Sequence, residues 1–254
     1  KYPVILPKHF AHTDEEPANV YAFIHAVSSR LKEGQVTVVG NGSACVVGGH
    51  AYIIKKGQRF ITNSAIASMG YDLPAAIGAW TASRDKGCYC QGGDRSGDDL
   101  ILVTGDGSMQ MNLQELQTII HHRMGIKIFV INNGGYHSIR QTQKNFFGEP
   151  LIGIGVDSGD LSFPALDKLA AAYGYPYVSA RHNSELGEAV EKTLAAEGPV
   201  ICEVFVSMDQ NFEPKSSAKR LPDGTMVSPP LEDLSPFLPD EEMDENMIIP
   251  RIKG

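Results

Sequence analysis

Apolar residues recur along the chain at two alternating periods. Val20, Phe23, Ile24, Val27 and Leu31 fall at helical spacing, and Gly34 closes that run. Residues 36–40 (VTVVG) then form a short, β-branched apolar run that leads directly into NGSA, the pattern of a buried strand entering a helix N-terminus. Residues 60–62 predict a second short strand. A Gly- and Ala-rich helix is expected over about 70–84, where Gly70, Ala75, Ala76, Gly78 and Ala79 permit close backbone packing. After a polar loop at 85–99 the clearest strand, LILVTG (100–105), runs through GDGSMQMN into a helix carrying Leu113, Leu116, Ile119 and Ile120. KIFVIN (127–132) is the next strand, and NNGGY breaks it. A helix near 163–173, a strand near 176–179, a helix near 185–197 and a strand at 200–206 complete the alternation. Buried apolar strands alternating with helices predict an α/β fold with a doubly wound parallel sheet covered by helices on both faces.

The ends differ from this pattern. Pro3, Pro7 and Pro17 predict an extended lead-in. From Pro222 to Gly254 there are six prolines, eight acidic residues and two basic ones. Residues 1–208 are therefore expected to form the domain. Residues 209–254 are expected to be an extended acidic, Pro-rich tail, held on the domain or on a neighbour by Leu231, Leu234, Phe237, Leu238, Met247, Ile248 and Ile249. The Asp240, Glu241, Glu242, Asp244 and Glu245 run reads as solvated.

The 254 residues carry a formal net charge of −8, which argues against a broad nucleic-acid footprint. No stretch is apolar for long enough to span a membrane. Four cysteines make a disulfide scaffold a poor reading. Cys45 and Cys202 sit in apolar runs and are expected to be buried thiols. Cys88 and Cys90 lack the spacing and the second pair of a usual zinc site. Few cysteines and no signal-peptide pattern point to the cytoplasm. The chain begins at Lys1, as a fragment or the ordered part of a longer protein would.

The informative chemistry is Gly105-Asp106-Gly107-Ser108, with Asn132-Asn133 following Gly107 after 24 residues. The first group ends one predicted strand and the second ends the next. Consecutive parallel strands end on the same sheet edge, where ligands bind, so Asp106 and Asn133 are expected to face each other across a crevice. A carboxylate and an amide oxygen are hard ligands suited to Mg²⁺ or Ca²⁺. Magnesium held by so few protein oxygens usually completes its shell with phosphate, and Gly107 and Ser108 would supply N–H groups and a hydroxyl to it.

This arrangement resembles the fingerprint of thiamine diphosphate-dependent enzymes, GDG followed at this distance by NN. Three more segments carry the resemblance. Asn41-Gly42-Ser43 resembles the first turn of the family's pyrophosphate-binding domain. Ala67-Ser68-Met69-Gly70 resembles the segment beneath the cofactor. Residues 71–79 (YDLPAAIGA), with Ile139-Arg140-Gln141-Thr142-Gln143, resemble the acetolactate synthase-like group. The resemblance covers roughly residues 18–206; the tail from about 226 to 250 resembles members associated with glycan biosynthesis.

The resemblance implies a metal held by Asp106, Asn133 and the Gly135 carbonyl, and a diphosphate held near Asn41, Gly42, Ser43, Gly105, Gly107 and Ser108. Met69 would be the wedge that bends the cofactor, the Ala67 carbonyl would accept from its amino group, and Tyr136 would line the pocket. The implied activity is that of a transferase or lyase. A carbanion on the cofactor attacks a 2-oxo acid such as pyruvate, CO₂ leaves, and the acyl carbanion passes to a carbonyl acceptor. Thr142 stands where this group usually has Trp, which puts the usual acceptor preference in doubt. The activating Glu of the family lies on a pyrimidine-binding domain, expected in a preceding segment or on a separate subunit, so no catalytic residue is expected within this chain. A flavin (FAD) would belong to a full-length enzyme only. A lone chain is expected to bind cofactor weakly, to expose an apolar face around Met69, Leu73 and Tyr136, to self-associate as a homo-oligomer, and not to turn over pyruvate.

Two other readings remain open: a 2-oxo acid decarboxylase subunit, and a nonenzymatic module for a phosphorylated nucleotide. His121 and His122 are expected in the last turn of a helix. Tyr136 and His137 read equally as pocket lining or helix surface, and His50 has no evident partner.

Overall fold

A computed structural model describes residues 2–11, 13–84 and 99–251; Cys88, Cys90 and most of the expected polar loop lie outside them. The chain divides into two compact units. One is Ile5–Gln210, and the other takes the described residues of 1–4 and 211–254.

The first unit is built on six parallel strands: β1 (Val36–Val39), β2 (Arg59–Ile61), β3 (Leu100–Gly105), β4 (Ile126–Asn132), β5 (Tyr177–Ala180) and β6 (Val200–Phe205), in the order β2-β1-β3-β4-β6-β5. β3, β4 and β6 are buried along nearly their whole length, which is why they are continuous apolar runs. Their helices are α1 (Pro7–Phe10), α2 (Val20–Arg30), α3 (Ser43–Ala51), α4 (Asp72–Arg84), α5 (Asp106–Gln110), α6 (Glu115–His121), α7 (His137–Phe146), α8 (Leu166–Tyr173) and α9 (Asn183–Ala195). A hydrophobic core joins Leu102, Ile128, Val130 and Ile201 of the sheet to Leu73 and Ala76 of α4, Leu116 and Ile119 of α6, and Leu166 and Ala170 of α8. The expected doubly wound α/β fold is present.

Two polar devices fix the sheet. Asp72, fully buried in the first turn of α4, accepts from the Thr104 hydroxyl at the end of β3. A Cβ on Gly40, just past β1, would lie 2.5 Å from the Asp72 carboxylate, so glycine there lets the three segments meet. Lys127, at the start of β4, is fully buried and pairs with Asp99 at 3.1 Å. Its ammonium also donates to the carbonyls of Ala196 and Gly198, just beyond the C-terminus of α9, where a cation suits the helix dipole.

Several expectations need correction. The lead-in is not wholly extended: Pro7 opens α1, and His9 in it stacks on Tyr21 at 4.5 Å. Leu73 is fully buried, so it cannot belong to an exposed apolar face. Cys45 is only half-buried, whereas Cys202 is buried and its thiol is pushed up to about 11 by burial. His50 keeps its expected isolation in part: its buried Nδ1 has no hydrogen-bond partner among the described residues, and its ring lies near-parallel to Tyr21 at 6.5 Å. In the second unit, β7 (Lys219–Arg220) and β8 (Met226–Val227) form an antiparallel pair, and α10 (Asp240–Asn246) is helical. The acidic run is exposed at Asp240, Glu241, Asp244 and Glu245, as expected; within it Arg251 pairs with Asp240 and Asp244, and the Tyr2 hydroxyl donates to Glu242 at 2.6 Å. No helix among the described residues is long and apolar enough to cross a membrane.

Replacing Lys127 by Ala would remove its packed methylenes and leave two carbonyls without their donor. The expected cost is about 3 kcal/mol in a urea unfolding experiment. Lys127→Met, which restores the volume, should lose less; equal losses would assign the whole effect to the charge.

Candidate functional site

A cleft of about 140 Å³ opens at the C-terminal edge of the sheet. It is lined by Asn41, Gly42, Ser43, Met69, Gly105, Asp106, Gly107, Ser108, Asn133, Gly135 and Tyr136, together with His137, Ser138 and Ile139. The register explains the meeting. β3 and β4 pair in parallel up to Gly105 opposite Ile131, so the two strands end side by side and the residues after each face one another. Of the expected residues, Ala67 and Ser68 do not line the cleft; they are exposed in the turn that leads to Met69. That turn holds Ala67 at a positive φ of 56°, and its carbonyl accepts from the Asn41 side chain. It is tied to the chain after β3, because Gly70 donates its N–H to the Ser108 hydroxyl at 2.9 Å and its carbonyl accepts from Asn112.

Asp106 and Asn133 form the polar centre. Each Asp106 oxygen accepts a backbone N–H, from Gly107 at 2.8 Å and from Gly135 at 3.0 Å. Those bonds do not offset burial, which pushes the carboxyl up to about 7. Asn133 donates its amide N–H to the Ser43 hydroxyl at 3.0 Å, while its buried Oδ1 has no hydrogen-bond partner. A buried acceptor without a donor is costly unless something electropositive meets it. An incompletely compensated carboxylate and an orphaned amide oxygen in one cleft therefore fit a hard divalent cation. α3 follows its N-cap Gly42, at φ 75° and with no side-chain cap, and Asn41, Gly42 and Ser43 line the cleft, so this helix N-terminus borders it.

The turn after β4 is packed backbone against backbone. Gly135, at φ 144°, bridges to Gly155, and a Cβ on it would lie 2.1 Å from the Ile154 carbonyl. Tyr136 follows, its ring so close over Gly107 that a Cβ there would sit 2.4 Å from it. His137 is buried, not on the helix surface. Burial lowers its pKa, and its Nε2 lies 2.6 Å from the Gln210 carbonyl.

The family model of thiamine pyrophosphate enzymes, C-terminal TPP-binding domain, matches residues 40–204, a span that contains every one of these cleft residues. The chain belongs to that family. Acetolactate synthase from Arthrospira platensis is 31% identical over 157 residues, covering 62% of this chain and 24% of its own. The acetolactate synthase large subunit of Cyanidium caldarium is 33% identical over 156 residues, covering 61% and 24%. The chain thus spans about a quarter of the length of these curated relatives. The crystal structure of benzoylformate decarboxylase from Polynucleobacter necessarius shares the fold, with a TM-score of 0.67 and 20% identity over 83% of this chain and 36% of that one.

Within this thiamine pyrophosphate-binding domain, some supporting residues escape a motif reading. Asn132 turns away from the cleft: its amide donates to Glu203 at 2.6 Å and its oxygen accepts from Gly134 at 3.1 Å. Glu203 in turn takes the Tyr177 hydroxyl, which helps hold the Tyr177 phenol above its usual pKa, after burial. A signal for this network was available, since a carboxylate inside the apolar run VICEVFV requires a partner.

Gly135→Ala is expected to destabilise the unit by about 2–3 kcal/mol, because the new Cβ meets backbone at a φ that L residues avoid. Chemical denaturation measures it. A loss under about 0.5 kcal/mol, the size of an ordinary surface substitution, would show that the turn relaxes freely.

Proposed function

We propose that this domain binds thiamine diphosphate through Mg²⁺ and forms the diphosphate half of the active site of an acetolactate synthase-like enzyme. That enzyme decarboxylates a 2-oxo acid, pyruvate, and transfers the acyl unit to a carbonyl acceptor. The observation that carries the reading is the orphaned Asn133 Oδ1 beside the desolvated Asp106 carboxylate. The family membership and the acetolactate synthase relatives support the cofactor and the group.

On this reading Asp106, Asn133 Oδ1 and the Gly135 carbonyl hold the metal. The open N-terminus of α3, with Asn41 and Ser43, and the chain at Gly107 and Ser108 receive the diphosphate. When bound, the cofactor supplies the electron sink that decarboxylation of a 2-oxo acid requires. Met69 would position the reactive end, and Tyr136 and Ile139 would form part of the cleft wall. The Ala67 carbonyl, outside the cleft lining and accepting from Asn41, would have to exchange that donor to accept from a cofactor amino group. The carboxylic acid that activates the cofactor comes from a pyrimidine-binding domain outside these residues, so turnover requires both.

Calorimetric titration with thiamine diphosphate, with and without Mg²⁺, tests the metal half. Binding should require Mg²⁺, and Asp106→Ala should abolish it. Asn133→Ala should weaken it at least about tenfold more than Asn132→Ala, whose side chain faces Glu203 instead. Metal-independent binding, or equal effects of the two Asn substitutions, would refute the assignment. Product analysis with pyruvate, in the enzyme assembled with its pyrimidine domain, should give acetolactate; acetaldehyde alone would make it a simple decarboxylase.

Met69→Ala tests the positioning of the reactive end. Exchange of the cofactor's C2 proton, followed by NMR in the assembled enzyme, should slow about tenfold or more while the fold survives. Unchanged exchange would reduce Met69 to packing.

A further inference from the structure

Arg140 is 1% exposed, and its guanidinium finds a place for every donor. Nη1 donates to the Asn133 carbonyl at 3.1 Å and lies 3.5 Å from His137 Nδ1. Nη2 donates to the Gly134 carbonyl at 3.2 Å. Nε and Nη2 together hold the Asp157 carboxylate at 2.8 and 2.9 Å, a bidentate pair. Asp157 belongs to the same loop as Gly155, which bridges Gly135, and as Val156, whose N–H donates to the Gly134 carbonyl at 3.0 Å. One buried cation therefore ties α7, the turn after β4 and the 153–157 loop together.

We propose that Arg140 is a positioning residue for the metal centre. By fixing the Asn133 and Gly134 carbonyls it sets the orientation of the Asn133 side chain and of the Gly135 backbone against Asp106. The inference rests on the functional reading above, because it concerns the same metal. Lysine does not reproduce this arrangement: its three donors sit on one nitrogen, whereas the guanidinium spreads five over three nitrogens and pairs Asp157 through two of them while spanning the Asn133 and Gly134 carbonyls. A merely structural tie would lower stability without altering metal coordination. A positioning tie alters coordination even where the fold is kept.

The test uses the whole chain with Mn²⁺ and thiamine diphosphate as probes, read by the Mn²⁺ electron paramagnetic resonance spectrum. Arg140→Lys should weaken Mn²⁺ binding at saturating thiamine diphosphate about tenfold and change the spectrum of the bound ion. Asp157→Asn, which keeps the guanidinium but loosens its brace, should weaken binding about threefold, since Asp157 is partly exposed. Without any ligand, amide exchange at Gly134 and Gly135 should quicken in both variants while the strands remain protected. Absence of Mn²⁺ binding by the unsubstituted protein would overturn the functional reading itself. Binding by that protein, matched in affinity and spectrum by both variants, would leave that reading standing and overturn the positioning role.

Discussion

The hydrogen bond from the Gly135 N–H to the Asp106 carboxylate joins the ends of the two central strands, and the cleft depends on it. It exists because β3 and β4 run parallel in a register that ends both at the same edge. It also needs a backbone at φ 144° pressed against Ile154 and Gly155, a path open only to glycine. Once that bond is made, Asp106 is buried with two N–H donors, and Asn133 is carried to the Ser43 hydroxyl across the cleft. Tyr136 is laid over Gly107 by the same path. The polar centre thus rests on one side-chain hydrogen bond that strand register and two glycine positions make possible.

The parts of the fold that were legible in the sequence are those whose pattern reflects burial. β3, β4 and β6 lie within a residue of the expected runs, since a strand covered on both faces has no polar alternation to blur it. α7 is different. Its buried side chains are His137 and Arg140, while Ile139 and Phe146 are exposed, so apolar periodicity carries no trace of its inner face. α1 is four residues long, too short for any period to show. In the second unit, Pro-rich, acidic composition gives no sign of α10, which is seven residues long, buries Met243 and has two carboxylates paired with Arg251.

The candidate site divides the same way. The residues at strand and helix ends were accessible, because the topology of a parallel sheet says where they meet. What holds them was not. Arg140 works through main-chain carbonyls, which every residue has, so no spacing announces its partners. Glu203 and Lys127 are the exceptions. Each is a charge inside an apolar strand, and that contradiction of pattern is itself a statement that a buried partner exists.

The donor set carries a last consequence for the proposed reading. Asp106, Asn133 and one backbone carbonyl amount to three protein oxygens, whereas magnesium demands near-octahedral coordination and gives up its waters reluctantly. Three protein oxygens make a weak site for the ion alone. The α3 N-terminus is likewise a weak anion site alone, with partial dipole charge and no capping side chain or lysine at its start. On the proposed reading diphosphate oxygens would complete the metal's shell, and the metal would offset the repulsion between the diphosphate and a protein of net negative charge. Each ligand therefore creates most of the other's affinity, and such coupling is reciprocal by linkage. On that reading the domain would favour the metal–diphosphate pair over free phosphate or free magnesium without needing a deep pocket.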